Sequence, residues 1–271
     1  MLPFAEPAGR HVAMFCAALL VANAGCRLVS RRGPVPSDLA DARRLCNEGL
    51  VAADRDDLAR AESLLARAVK SCPTDIDARR HYADVLWKRG ERTAAVGQVA
   101  AALDLSPADP GLCVEAGRMY LALGLLNDAE RLGSEAVRLA PRSADSWRLR
   151  GQVAMARGQF ADAVADFHRG LAIAGDDPDL LADTARAYVA LGRPRRALAT
   201  LAILAEQAGA AGPPADLVVL EARAHESLGR TSEAADAWRR AIATGAAPPE
   251  ATARLAALDA AAGTAEAAPR R

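Results

Sequence analysis

A chain of 271 residues that is 51% hydrophobic can bury a core, but aromatics make up only 4% of it. Close packing of small-faced helices is therefore expected over a bulky globular core. The 34 Lys and Arg balance the 34 Asp and Glu, which excludes both the basic excess of a nucleic-acid binder and the acidic excess of a solvating tail.

Arg10 and His11 precede an apolar run from Val12 to Ala22, and the small residues Asn23-Ala24-Gly25 lead to Cys26. The run is shorter than the roughly 20 apolar residues that cross a bilayer. It has the layout of a secretory signal over residues 1–25. Ala24-Gly25-Cys26 resembles the bacterial lipobox, which implies lipid on Cys26 and an exported, membrane-tethered protein. An ordinary cleaved signal and a retained short anchor are the alternatives. Residues 26–40, with Gly33, Pro34 and Pro36, read as a flexible tether, and helical periodicity begins near Ser37-Asp38.

The central stretch is repetitive. Gly90, Gly124, Gly158 and Gly192 stand 34 residues apart, as do Ala61, Ala95, Ala129, Ala163 and Ala197, with Ala234 following after a slip of three. A fixed period of this length marks a stack of like units. With Trp147 at position 4, six units start near Ala42, Ile76, Pro110, Ala144, Pro178 and Ala215, filling 41–247. Position 8 is always small (Gly49, Ala83, Gly117, Gly151, Ala185, Ala222), and so is position 27 except at Leu204. Small residues there let the two helices of a hairpin approach, while Tyr82, Leu86, Tyr120, Trp147, Phe160, Phe167, Tyr188 and Trp238 fill between them. Pro73, Pro107 and Pro141 close the first three units, as residues that cannot continue a helix. A Gly/Ala/Pro-rich insertion, 209–214, separates units five and six. Pro248-Pro249 opens a last helix over 248–262 that caps the stack, and 263–271 read as a disordered tail.

These marks resemble the tetratricopeptide repeat, W-x2-L-G-x2-Y, A-x3-F, then P. The resemblance implies an all-α, right-handed α-solenoid of stacked helix-turn-helix hairpins, working as a binding surface rather than a catalyst. The family's first helices line a concave groove. Its geometry points Arg80, Trp87, Lys88, Arg118, Leu121, Arg148, Met155, Arg186 and Arg223 into that groove. An arginine ladder among apolar groups suits an extended peptide carrying acidic side chains or a free carboxylate, because guanidinium forks pair well with carboxylates. Asp77, Asp145, Asp179 and Asp216 partly offset that charge. The family's carboxylate clamp needs lysine and asparagine where this first unit has Cys46 and Leu50, so chaperone-tail binding is disfavoured.

Nothing in the sequence points to catalysis, a cofactor or a small-molecule substrate. His81, His168 and His225 lie in different units without metal-ligand spacing. Asp54, Asp56 and Asp57 fall in a turn that lacks the glycine and distal glutamate of a calcium loop. No nucleophile elbow, P-loop or dinucleotide fingerprint is present. Cys46 and Cys72, at the two ends of the first hairpin, are either paired or free. The expected function is a non-enzymatic adaptor for another protein. The alternatives are an assembly factor for a pilus or outer-membrane machine, or an accessory subunit of a separate envelope enzyme.

Overall fold

The structure is a computed structural model that describes residues 37–209, 212–245 and 247–266. The signal segment, Cys26 and the chain up to residue 36 lie outside the described residues, as do 267–271. Thirteen helices and no strand occur among the described residues. They run α1 (Ser37–Asp54), α2 (Leu58–Ser71), α3 (Ile76–Lys88), α4 (Arg92–Leu105), α5 (Pro110–Ala122), α6 (Leu126–Leu139) and α7 (Ala144–Ala156). Then come α8 (Phe160–Ala174), α9 (Pro178–Ala190), α10 (Pro194–Ala208), α11 (Ala215–Ser227), α12 (Thr231–Ala243) and α13 (Ala251–Glu266). Successive pairs form six antiparallel hairpins stacked as a right-handed α-solenoid, and α13 packs on α12 at the end.

Local chemistry sets these boundaries. Asp75, Asp109, Ser143 and Asp177 each accept a hydrogen bond from a first-turn N–H and so start α3, α5, α7 and α9. Asp57 does the same for α2, accepting from Arg60 N at 3.1 Å. One member of the acidic turn is thereby committed to a cap. Between the helices of a hairpin the chain needs one left-handed residue. Gly90, Gly124, Gly158, Gly192 and Gly229 supply it with φ from 66° to 86°, and Asp56 takes φ 61° in the first unit.

The core is a strip of small and aliphatic groups between the layers. Ala61, Ala95, Ala129, Ala163, Ala197 and Ala234 are all fully buried. Gly151 shows why position 8 must be small: a Cβ there would stand 2.5 Å from Phe167 Cε1 and 2.7 Å from Cδ1. Replacing glycine by alanine inside a helix gains about 1 kcal/mol in propensity, but forcing a methyl against a packed ring loses about 1–3 kcal/mol. Gly151→Ala is expected to lower stability by about 1 kcal/mol. A urea midpoint at or above that of the parent protein contradicts the close approach.

α1 begins at Ser37, where the helical periodicity sets in, and takes up the last residues of the range assigned to the tether, because nothing after Pro36 interrupts a helix and Ala42 and Leu45 give it a buried face. The last helix differs from expectation. α13 begins at Ala251 and continues to Glu266 through residues assigned to the tail. Its alanine-rich sequence carries Gly263 at a penalty of only about 1 kcal/mol.

Two aromatics also sit elsewhere than expected. Phe160 and Trp147 are half-exposed, whereas Phe167 and Trp238 are fully buried. The Trp147 indole is flanked by the Arg150 and Arg169 guanidiniums, 4.5 and 4.8 Å from the ring centroid. Its Nε1 donates to Pro141 O at 2.8 Å. It clips the outside of the stack instead of filling it. Cys46, Cys72 and Cys113 are free thiols, and Cys46 and Cys113 are buried.

Candidate partner-binding groove

Helix order dictates which wall can meet a partner. First helices approach one another across units, α1 with α3, α5 with α7, α7 with α9 and α9 with α11, while no two second helices come close. The stack is therefore tight along the first helices and splayed along the second, so the first helices line the inside of the curve. Arg80, Trp87 and Lys88 lie on α3, Arg118 and Leu121 on α5, Arg148 and Met155 on α7, Arg186 on α9 and Arg223 on α11. Leu121 and Met155 are half-buried against the core.

The guanidiniums do not form a free basic ladder. Each is held by a carboxylate of the following unit or, for Arg223, of the segment before the last helix. Arg80 Nε lies 2.8 Å from Glu115 Oε2 and Arg118 Nη2 2.5 Å from Asp145 Oδ1. Arg148 reaches Asp179 at 2.7 Å and Asp183 at 2.9 Å. Arg186 reaches Asp216 at 2.6 Å and Asp183 at 2.9 Å, and Arg223 reaches Glu250 at 3.1 Å. Burial alone pulls the Arg148 pKa down, but its hydrogen bonds to Asp183 and Asp179 leave it raised. The face is a chain of inter-unit ion pairs close to neutrality. Asp183 and Glu115 were absent from the sequence reading. Their signal is an acid 35 residues after the arginine, at position 6 of the next unit.

An opening lies in this wall between α3 and α5. Among the described residues, α3 and α5 are the only neighbouring first helices of the stack without a close backbone approach. There a cavity of about 580 Å³ opens, bringing together Arg80, Asp84, Trp87, Glu115, Arg118 and Met119. Burial pushes the Glu115 carboxyl up, against the pull of Arg80. Crowding by neighbouring groups pushes the Asp84 carboxyl up too, against His81, Lys88 and Arg80, although the side chain stays partly exposed.

His168 Nε2 lies 2.6 Å from the Tyr188 hydroxyl, and half-buried His225 lies 3.9 Å from Glu221.

Models of the tetratricopeptide repeat match residues 46–110, 114–178 and 154–218. The chain belongs to the tetratricopeptide-repeat family. No curated protein is matched by this sequence. Among solved structures, PilW, described as a widely conserved type IV pilus biogenesis factor, superposes with TM-score 0.71 at 18% identity, covering 79% of this chain and 98% of its own. PilF of Pseudomonas aeruginosa gives 0.69 at 18%, covering 82% and 99%. A tetratricopeptide-repeat protein of Parabacteroides merdae gives 0.62 at 19%, covering 80% and 84%. At such identities the likeness concerns the fold. With the family, it makes this chain a protein-interaction scaffold.

Proposed function

We propose that this scaffold is exported, is held to a membrane through lipid at Cys26, and binds an extended segment of a partner protein along its first-helix wall without catalysis. The observation that carries the groove reading is the gap between α3 and α5, where a half-buried indole and a charged rim line a cavity. The lipobox-like Ala24-Gly25-Cys26 supports the tether. An acidic segment fits the same reading if its carboxylates displace Asp145, Asp179 or Asp216 from their arginines.

A photo-crosslinking residue at Trp87 or Leu121 is expected to capture one discrete partner in intact cells. The same residue at Leu105, exposed on second helix α4, is expected to capture none. Equal capture from Leu105 overturns the groove. Cys26→Ser is expected to move the protein from the membrane to the soluble fraction and to abolish palmitate labelling; an unchanged distribution removes the tether.

A second reading, an assembly factor for a pilus or outer-membrane machine, draws support from the likeness to PilW and PilF. A captured secretin or barrel subunit favours it. A captured glycosyltransferase or peptidase favours the remaining reading, an accessory subunit of a separate enzyme.

A further inference from the structure

The opening between α3 and α5 holds a carboxylate that no arginine of the wall pairs with. Two guanidiniums line it, and both are committed: Arg80 to Glu115 Oε2 and Arg118 to Asp145 Oδ1. Three carboxylates line it, and one is left over. Among the described residues Asp84 has no hydrogen-bond or ion-pair partner within 4 Å, although His81, Lys88 and Arg80 lie near enough to act on it through space. Glu115 is only half satisfied, because its Oε1 is buried without any hydrogen-bond partner. Asp84 and Glu115 lie close enough to act on one another through space, so a cation beside Asp84 meets both charges.

Beside these acids stands Trp87. Arg92 covers one side of its indole, 5.2 Å from the ring centroid, and the ring also borders the cavity together with Met119. An aromatic wall next to spare carboxylates suits an alkyl chain ending in a cation, since the stem packs on the ring and the head meets the acids.

We infer that the cavity between α3 and α5 is a subsite for a cationic side chain, lysine or arginine, of the bound segment, recognised by Asp84 and the Trp87 ring, with the Glu115 charge close behind. This rests on the groove reading and gives the partner a chemistry at one place. Further along the wall Asp179, Asp183, Asp216 and Glu250 are each held by an arginine; at this opening Asp84 is not.

The test uses the full chain with ¹⁵N-labelled tryptophan. The chain has three tryptophans, so a Trp87→Phe variant assigns the Trp87 indole signal. The probes are the blocked pentapeptides Ala-Ala-X-Ala-Ala with X lysine, norleucine or glutamate. The lysine peptide is expected to shift the Trp87 indole saturably and to bind about fivefold more tightly than the norleucine peptide. Asp84→Asn is expected to reduce it to the norleucine level. Glu115→Gln, which keeps an acceptor for Arg80, is expected to weaken it without loss of helicity. Equal binding of lysine and norleucine peptides, tighter binding of the glutamate peptide, or indifference to Asp84→Asn each overturns the inference. The two readings fail separately. Lysine-peptide binding without partner capture from Trp87 or Leu121 rejects the groove and keeps the subsite. Capture without lysine preference does the reverse.

Discussion

Phe167→Ala is expected to destabilise the protein by about 3–5 kcal/mol, the range for emptying an aromatic site in a closed core. The ring is fully buried on α8 and packs in one cluster with Val164, Leu180 and Tyr188. It also closes over Gly151, whose missing Cβ makes room for it. No neighbour can fall into the vacated space without moving α7 against α8. The architecture fixes where the loss appears. Each unit touches only its neighbours, so stability is close to a sum of unit and interface contributions. Hydrogen exchange is therefore expected to rise first in α7, α8 and α9, with protection largely kept in α1 and α2. Phe160→Ala, on the same helix but half-exposed, is expected to change stability by less than half as much. A coupling check follows from the contact with Gly151. Gly151→Ala is expected to be less harmful on a Phe167→Ala background than alone, giving a non-additive double-mutant cycle. Strict additivity, or a uniform rise in exchange along the whole chain, contradicts this packing.

The hairpins were legible because their determinants are local and repeated. One residue per turn must take a left-handed conformation, and the series from Gly90 to Gly192 records that demand at fixed spacing. The same holds for the alanines, fully buried at position 20 of every unit. What the pattern does not encode is the rotation of each unit upon the next. That rotation decides whether Arg80 meets Glu115, 35 residues on, or stands free in the groove. The sequence therefore marked the arginines of the inner wall while missing Asp183, Glu115 and Asp84, which decide what those arginines can do. Trp147 illustrates the same limit. Its signature slot suggested a filler, but Gly133 brings α6 to within 3.4 Å (from an added Cβ) of the Arg150 Cα. Arg150 there lies across the indole and holds Asp166 with two hydrogen bonds of 2.7 and 2.6 Å.

Asp183→Ala is expected to lower stability by about 2 kcal/mol while making the groove more receptive to acidic ligands. Asp183 is nearly buried and accepts from Arg148 Nε at 2.9 Å, Gln152 Nε2 at 2.8 Å and Arg186 Nη1 at 2.9 Å. Hydrogen bonds to a charged group contribute about 1.5–3 kcal/mol each when well sheltered. Arg186 is 43% exposed, so water screens its share, and Arg148 keeps Asp179 as a second acceptor. These two facts place the loss below the roughly 3–5 kcal/mol of an orphaned, fully buried pair. Glu48→Ala, which removes the exposed Arg44 pair on α1, is expected to leave the urea midpoint unchanged. The functional half of the prediction has the opposite sign. Without Asp183, Arg148 loses one of two carboxylates and Arg186 keeps only Asp216, so their guanidiniums become available to an incoming carboxylate. A blocked glutamate pentapeptide is expected to bind Asp183→Ala several-fold more tightly than the parent, and high salt is expected to erase the gain. If the variant is destabilised yet binds the glutamate peptide no better, the ion pairs serve only to join the units. If it binds better, the carboxylates of each following unit hold the arginines in reserve, and the charge a partner meets is set by how tightly the stack is closed.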